Sequence, residues 1–169
     1  MSSIRSRPPK SAYQLTRYWS TVPFCHGPAD AMKYSAIPCT GNSAHPLDGT
    51  ANELQDELVR HVTNDEHMSA FDFGIQLLDT SRMRHWFRRR DTSYWIENGS
   101  IEWKEKQAPF HVVGRLTLVR GSVFSEEACE AQHIDVTENS TPSSAPLGSI
   151  NRARWAAESA SREARLAKQ

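Results

Sequence analysis

The stretch from Ser149 to Gln169, SINRARWAAESASREARLAKQ, carries the clearest local structural signal in the chain. Its body is rich in Ala, Arg and Glu, which favour helix, and neither Gly nor Pro interrupts it. Gly148 and Ser149 provide a stop and an N-cap directly before this body. The sequence therefore predicts a long helix over residues 149–169.

One face of this predicted helix gathers charged side chains around a single carboxylate. At about 100° per residue, Arg154, Glu158 and Arg165 fall within one narrow sector, and Arg162 lies beside them. One interpretation is a solvated face with i,i+4 ion pairs, each worth about 0.3–0.5 kcal/mol. The other is a functional site in which guanidinium groups surround an anion. Spacing alone favours the solvated face.

Charge is balanced over the 169 residues, with 20 Lys and Arg against 20 Asp and Glu. This balance argues against a general nucleic-acid binder and against a membrane-surface binder. Mean hydropathy is −0.62, and no apolar run approaches the roughly 18 residues of a membrane span. The basic N-terminus lacks the apolar region of a signal peptide. We therefore predict a soluble, cytoplasmic protein.

The Cys and His residues are not spaced as metal ligands. Cys25, Cys39 and Cys129 are far apart and odd in number, so we expect free thiols rather than a disulfide framework or a zinc site. The closest two of the seven His, His61 and His67, do not have the i,i+4 spacing of a helix-borne zinc site. No Gly-rich phosphate loop, G-x-S-x-G motif or paired catalytic carboxylate motif occurs. Composition and spacing alone thus predict only a soluble α+β domain.

Strand and helix patterns alternate along the rest of the chain. Strands are predicted over 31–38, 71–78 and 110–119. In the second strand one face is expected to be apolar and buried; it comprises Phe71, Phe73, Ile75 and Leu77. A helix is predicted over 51–64, capped by Thr50, and its apolar face comprises Leu54, Leu58 and Val62. A short helix is predicted over 125–132, with loops at 39–50 and 135–148.

Residues 1–12 are predicted to be a disordered basic tail, and residues 13–169 a single domain. Within that domain Arg84–Trp95, RHWFRRRDTSYW, breaks the periodic pattern. Basic residues interleaved with aromatic ones can bind single-stranded nucleic acid or phosphate. The alternative is an exposed insertion between two strands. We favour the insertion, because isolated basic patches are usually solvated faces.

A colinear series of short motifs runs through residues 13–169. In chain order they are Tyr18-Trp19-Ser20, Pro23-Phe24, Met32-Lys33-Tyr34-Ser35 through Pro38, Phe71-Asp72-Phe73-Gly74-Ile75-Gln76, Ile101-Glu102-Trp103, Pro109-Phe110, Val113-Gly114-Arg115-Leu116 and Pro146-Leu147-Gly148. In this series the chain resembles the second half of the haem catalase superfamily, in particular its shorter catalase-like branch. The 84–95 segment stands where that family has a short turn.

The resemblance implies an α+β fold: a partial antiparallel catalase-type β-barrel with flanking helices and a proximal haem helix over residues 149–169. It implies haem as cofactor. Arg154 and Arg165 stand at the positions of two arginines, the first supporting the iron ligand and the second facing a haem propionate. Glu158 stands where the family has the Tyr that ligates the iron, so the resemblance makes Glu158 a candidate iron ligand. Unlike tyrosine, glutamate is ordinarily anionic at pH 7.

The resemblance also implies a function: a peroxide-dependent oxidoreductase acting on hydrogen peroxide or an organic peroxide, or an enzyme for oxidative tailoring of a small metabolite. Peroxide cleavage needs an acid–base group beside the iron. The family's distal His precedes the region matched here, and none of the seven His fits its motif. The early barrel strands are missing too. We therefore expect a truncated or degenerate protein, and the alternative is a non-catalytic remnant that forms homo-oligomers or pairs with a complementing catalase-like chain.

Overall fold

The computed structural model describes residues 11–64, 68–121, 125 and 136–166, which form a mixed α/β fold with an antiparallel sheet. The strands are β1 (Tyr18–Trp19), β2 (Phe24–His26), β3 (Asp30–Pro38), β4 (Ala70–Leu77) and β5 (Phe110–Thr117). The α-helices in these ranges are α1 (Glu53–Asn64), α2 (Thr92–Glu97) and α3 (Gly148–Leu166). None of these helices has the length and apolar character needed to cross a membrane.

The sheet has the strand order β1-β3-β4-β5, and β2 pairs with β3 off this path. β2 and β3 form an antiparallel hairpin in which Phe24 lies opposite Met32 and His26 opposite Asp30. Over the residues that the structure describes, the sheet is open, with β5 at one end of the strand order. The mixed class and the antiparallel sheet are therefore as predicted, whereas the catalase-type barrel stays a prediction.

Two compact units divide the chain. The first contains residues up to 18 together with 36–73 and 114–130, and the second contains 19–35, 74–113 and 131–169. The boundary between the units falls inside β3, β4 and β5, so each of these strands contributes residues to both. The predicted tail lies outside the described residues up to residue 10, and Ala12 is buried.

Buried polar groups organise the first unit around α1. The side chain of Glu57 is almost fully buried and accepts hydrogen bonds from Gln14 Nε2 at 3.0 Å and from the backbone N–H of His45 at 2.8 Å. Arg60, one turn further along the helix, also pairs with this carboxylate. These three contacts to one buried carboxylate fix α1 by polar interactions as well as by apolar burial.

The buried face of α1 differs from the predicted one. Its buried residues are Glu53, Glu57, His61 and Val62. Leu54 and Leu58, which were expected to be buried, are only half-buried. The spacing of apolar residues predicted the wrong buried face because hydrogen bonds compensate the burial of the acidic side chains. Helical spacing does not reveal such hydrogen bonds.

Two apolar clusters form the core of the second unit. The larger consists of Ala31, Met83, Trp95, Trp103 and Ala108. The smaller consists of Val22, Phe24 and Met32, with further side chains of β3 and β4 packed against it. Trp103 Nε1 donates a hydrogen bond to the backbone carbonyl oxygen of Trp95 at 3.3 Å, so a polar contact also links the Trp103 indole to the backbone of α2.

β4 and β5 also depart from their predicted burial. In β4 Phe71 is buried as expected, but Gly74 and Gln76, predicted to face outward, are buried too. In β5 every residue after Phe110 is exposed, although the alternating pattern predicted a half-buried strand. Alternation reports which side chains share a face and not what covers that face, so an apolar face on the last strand of the order looks the same in sequence as a buried one.

The 84–95 segment is partly core and partly exposed. Asp91 caps α2, since its side chain accepts a hydrogen bond from the backbone N–H of Tyr94 at 2.8 Å. Trp95, in the second turn of this short helix, is buried in the larger cluster. Trp86 and Phe87 are 77% and 99% exposed. The expected exposure is therefore correct for these two aromatic residues and wrong for Trp95, and the insertion itself stays a prediction.

The residues preceding α3 pair with β2. Phe24 forms an isolated antiparallel bridge with Pro146. The backbone N–H of Cys25 donates to the carbonyl oxygen of Ala145 at 2.8 Å, and that of Gly27 donates to Ser143 at 2.9 Å. These bonds join residues near the start of the chain to residues near its end within one unit. The predicted helix over 125–132 lies largely outside the described residues.

Candidate functional site

The first turn of α3 fixes the helix on which the candidate haem residues lie. Gly148 has φ of 86°, and a Cβ atom there would lie 2.5 Å from the carbonyl oxygen of Ile96. Asn151 is buried, and its Nδ2 donates to the carbonyl oxygens of Pro23 at 3.1 Å and Leu147 at 2.8 Å. The start of α3 therefore depends on a close backbone approach and on a buried amide.

Arg154 and Glu158 form an ion pair one turn further along α3. Both Nε and Nη2 of Arg154 donate to Oε1 of Glu158, at 3.0 and 2.8 Å. The side chains are 41% and 31% exposed, so solvent screens this pair in part. Oε2 of Glu158 is buried and has no hydrogen-bond partner among the described residues. One oxygen of the carboxylate is thus fully engaged and the other is covered without a donor.

The other two arginines of the predicted cluster do not reach Glu158. Arg162 pairs instead with Glu138, at 3.8 Å between Nη1 and Oε2. Arg165 is exposed in the last turn of α3. A carboxylate surrounded by three guanidinium groups is therefore not what the structure contains. The arrangement is one i,i+4 pair, Arg154–Glu158, with Arg162 engaged elsewhere.

In this conformation α3 does not fit an iron-bound haem in the way that the resemblance implies. An axial ligand must offer an open atom to the iron. In Glu158, Oε1 accepts two hydrogen bonds from Arg154, and Oε2, the oxygen without a donor, is covered by protein. Arg165 is exposed, and no contact among the described residues holds it in position for a propionate. Glu158, Arg154 and Arg165 therefore share a helix but do not form a prepared haem site.

A second place in the molecule collects unusual chemistry around Lys33 of β3. Lys33 is 8% exposed, and its Nζ lies 4.9 Å from the centroid of the Trp103 ring. Burial lowers the pKa of the Lys33 ammonium, and the nearby carboxylate of Glu102 opposes this by raising it. A lysine whose charge is disfavoured by its surroundings is uncommon in a protein core.

Lys33 lines a cavity of about 430 Å³ that lies within the second unit. Aromatic side chains form part of its wall, namely Trp19, Trp103 and Phe110. Polar groups line the rest, among them Ser20, Gln76, Glu102 and Glu105. This volume lies in the range of cavities that take small molecules.

Gln76 holds one wall of this cavity in place. Its Nε2 donates to the carbonyl oxygens of Trp103 at 2.7 Å and Ala108 at 2.6 Å, and the residue is buried. Lys33, Gln76 and Trp103 belong to three separate motifs of the colinear series and come from three distant parts of the chain. The structure therefore brings motif residues together at the cavity rather than on α3.

A third feature is the tight turn at Trp86 and Phe87. The backbone of His85 and Arg88 is hydrogen-bonded in both directions, and the two aromatic residues between them have φ of 51° and 64°. Such positive φ values are uncommon for bulky residues. His85 Nδ1 lies 2.6 Å from the hydroxyl of Tyr94. The turn borders an open cavity of about 770 Å³ that also includes Lys104 and Glu102.

Metal-ligand clusters are not found: no group of three or more His, Cys, Asp or Glu side chains suited to a metal ion occurs among the described residues. Cys25 and Cys39 are free thiols, as expected, and Cys129 lies outside the described residues. No protein-family model matches the chain, and no curated protein is significantly similar to it.

Reasoning from sequence missed Lys33 as a site residue. The available signal was its register: in the strand pattern over 31–38, Lys33 shares a face with Ala31 and Ser35, two small residues suited to a buried face. Both of those residues are buried. A lysine in a buried register requires either a partner or a lowered pKa, and that would have marked it as a candidate.

Proposed function

We propose that this chain is a degenerate member of the catalase-like line of haem-dependent, peroxide-using oxidoreductases, acting as a non-catalytic remnant or partner subunit. The observation that carries the proposal is the state of Glu158. It stands where the resemblance assigns the iron ligand, yet one of its oxygens is held in an i,i+4 ion pair with Arg154 and the other is covered by protein. In this conformation the carboxylate is engaged within the protein and is not presented to a ligand.

The scaffold motifs support the catalase-like lineage. Residues of the motif series account for much of the buried core of the second unit; they include Phe24, Met32, Gln76 and Trp103. Pro146 pairs with Phe24, so the motif that precedes α3 packs against one of the first motifs in the series. Short motifs that are spread along a chain and meet in its core are what a shared scaffold predicts. Lineage and activity are separate questions, because a fold can outlast its chemistry.

The second candidate is a haem protein that still uses peroxide or oxidises a small organic substrate. It is favoured by the Arg154–Glu158 pair, in which a guanidinium holds an anionic oxygen on the helix that resembles the proximal one. When bound, haem would supply the redox chemistry. The residues that would hold it are Glu158 at the iron, with Arg154 orienting the carboxylate and Arg165 facing a propionate. For this candidate either Oε1 would bind the iron while Arg154 still donates to it, or Oε2 would become exposed.

An absorption experiment separates the two candidates. The chain, its Glu158→Tyr variant and the matched Glu163→Tyr variant are each mixed with ferric haem, and Soret spectra and peroxide consumption are measured. We expect weak, non-specific haem spectra for the unchanged chain and for Glu163→Tyr, and a tyrosinate-ligated ferric spectrum for Glu158→Tyr alone. Rapid peroxide consumption by the unchanged chain would overturn the non-catalytic proposal in favour of the second candidate.

A further inference from the structure

The cavity beside Lys33 holds a buried amine without a hydrogen-bonded counter-ion. Lys33 is buried, with only 8% of its surface exposed. Among the described residues no hydrogen bond or ion pair joins its Nζ to another side chain, and the Nζ lies 4.9 Å from the centroid of the Trp103 ring. A buried ammonium normally requires a carboxylate partner, because transfer of an isolated charge from water is strongly unfavourable. The neutral form of this amine is therefore more favoured than the neutral form of the amine of an exposed lysine.

The surroundings of Lys33 favour the neutral amine and disfavour an anionic ligand. Burial lowers the pKa of Lys33. The charged groups that line the cavity besides Lys33 are the carboxylates of Glu102 and Glu105, and Glu102 partly opposes the lowering. Two carboxylates at the same cavity repel a phosphate or carboxylate ligand. An uncharged electrophile that reacts with an amine meets no such repulsion.

The walls of the cavity define the size and polarity of that electrophile. Its volume is about 430 Å³, which is large enough for a small organic molecule. Trp19, Trp103 and Phe110 offer aromatic surface for an apolar body. A small aldehyde combines an apolar body with one uncharged electrophilic carbon, and an amine of lowered pKa is the side chain that captures such carbons.

We propose that this cavity binds a small aldehyde and that Lys33 captures it as an imine. The lone pair of Nζ attacks the carbonyl carbon and forms a C–N bond, while the carbonyl oxygen takes up a proton. The resulting carbinolamine loses water and leaves a C=N bond to Lys33. No electrons are gained or lost, so the step needs no oxidant or reductant, and addition of water reverses it. The site is separate from α3 and does not depend on haem.

Reductive trapping tests this step at individual lysines. The full chain is incubated at pH 7 with limiting propionaldehyde and cyanoborohydride, which reduces an imine to a stable secondary amine. Mass spectrometry of peptides from a Glu-specific protease then gives the labelled fraction at each lysine. Lys104 and Lys106 are exposed and serve as internal controls. We expect several-fold more label at Lys33 than at either control, with a saturable dependence on aldehyde concentration.

Two further measurements tie the selectivity to the folded cavity. In urea sufficient to unfold the chain, the excess label at Lys33 should disappear, because all three lysines are then solvated. In the Glu102→Gln variant, which alters an exposed side chain, label at Lys33 should increase, because the carboxylate that raises its pKa is gone. Equal labelling of the three lysines in the folded chain, or Lys33 as the least labelled, would overturn the proposal.

Discussion

At the scale of single residues, the carboxylate of Glu57 shows how one buried charge can stabilise a unit. Burial raises its pKa, but hydrogen bonds from Arg60 and from the backbone of His45 outweigh that effect and hold the pKa below its usual 4.5. A carboxyl group whose pKa is lowered on folding contributes stability that is present above its unfolded pKa. That contribution is lost as pH falls through the folded pKa.

The Glu57→Gln substitution tests this contribution. Gln cannot accept all the bonds of the carboxylate, so buried donors lose their charged partner. We expect the free energy of unfolding at pH 7 to fall by about 2–4 kcal/mol, and the acid dependence of stability between pH 5 and the lowered pKa to weaken. Urea denaturation followed by circular dichroism at several pH values measures both. Asp56→Asn, an exposed neighbour on the same helix, is the control and should change stability little.

Single residues also show where reasoning from sequence stops. Lys33 and Glu57 are both charged residues in segments whose type was predicted correctly, yet the sequence did not predict the burial of either one. Their burial depends on partners far away in sequence: Trp103 beside Lys33, and Gln14 beside Glu57. Neither a strand period nor a helix period identifies a partner from another segment. The site residues predicted on α3 owe their assignment to the resemblance, and local spacing established only the Arg154–Glu158 contact.

At the scale of elements, the start of α3 is the position most sensitive to a single added methyl group. Gly148 combines φ of 86° with a backbone carbonyl oxygen 2.5 Å from where Cβ would lie. Gly121 has φ of 77° and nothing within 4 Å of its Cβ position. The two glycines therefore share the backbone strain that Ala would introduce and differ in the steric clash.

We expect Gly148→Ala to lower the free energy of unfolding by more than Gly121→Ala does. The shared strain costs on the order of 1 kcal/mol, and the clash with the Ile96 carbonyl adds a further shift of the α3 backbone. Thermal unfolding of the two variants gives the comparison directly. Equal losses of stability would show that α3 can move away from Ile96 without cost, which would contradict the tight docking of its first turn.

Element types were predicted better than their environments. The helices over 53–64 and 148–166 and the strands over 30–38, 70–77 and 110–117 all lie where periodicity, composition and capping residues predicted them. The exposure of β5 and the polar face of α1 were not predicted, because periodicity describes one element and burial depends on its neighbours. α2 was not predicted at all; its six residues are too few for a helical period to be visible in sequence.

At the scale of the whole molecule, β5 leaves apolar side chains in water at one end of the strand order. Val112, Val113 and Leu116 are 59%, 57% and 51% exposed. A terminal strand with exposed apolar side chains is a template for pairing with another strand. This supports the expectation that the chain forms a homo-oligomer or pairs with a complementing chain.

We expect the chain to self-associate in a concentration-dependent manner. The substitution Val113→Lys should raise the dissociation constant by at least about tenfold, which corresponds to about 1.4 kcal/mol. A charge on a terminal strand opposes edge pairing. Sedimentation velocity over a range of concentrations provides the measurement, and Thr63→Lys, at an exposed position on α1, serves as the control. A chain that remains monomeric at every concentration would contradict this expectation.

The pairing of β2 with residues 143–147 has a consequence for how the protein is made. The backbone groups of Cys25 and Gly27 find their acceptors at Ala145 and Ser143, more than a hundred residues later. During translation, β2 leaves the ribosome long before these acceptors exist. β2 can pair with β3 early, but the backbone N–H groups of Cys25 and Gly27 stay without these acceptors until residues 143–145 have been made. Completion of this unit must wait for residues 143–147, and such a delay favours chaperone binding or misassociation while translation continues.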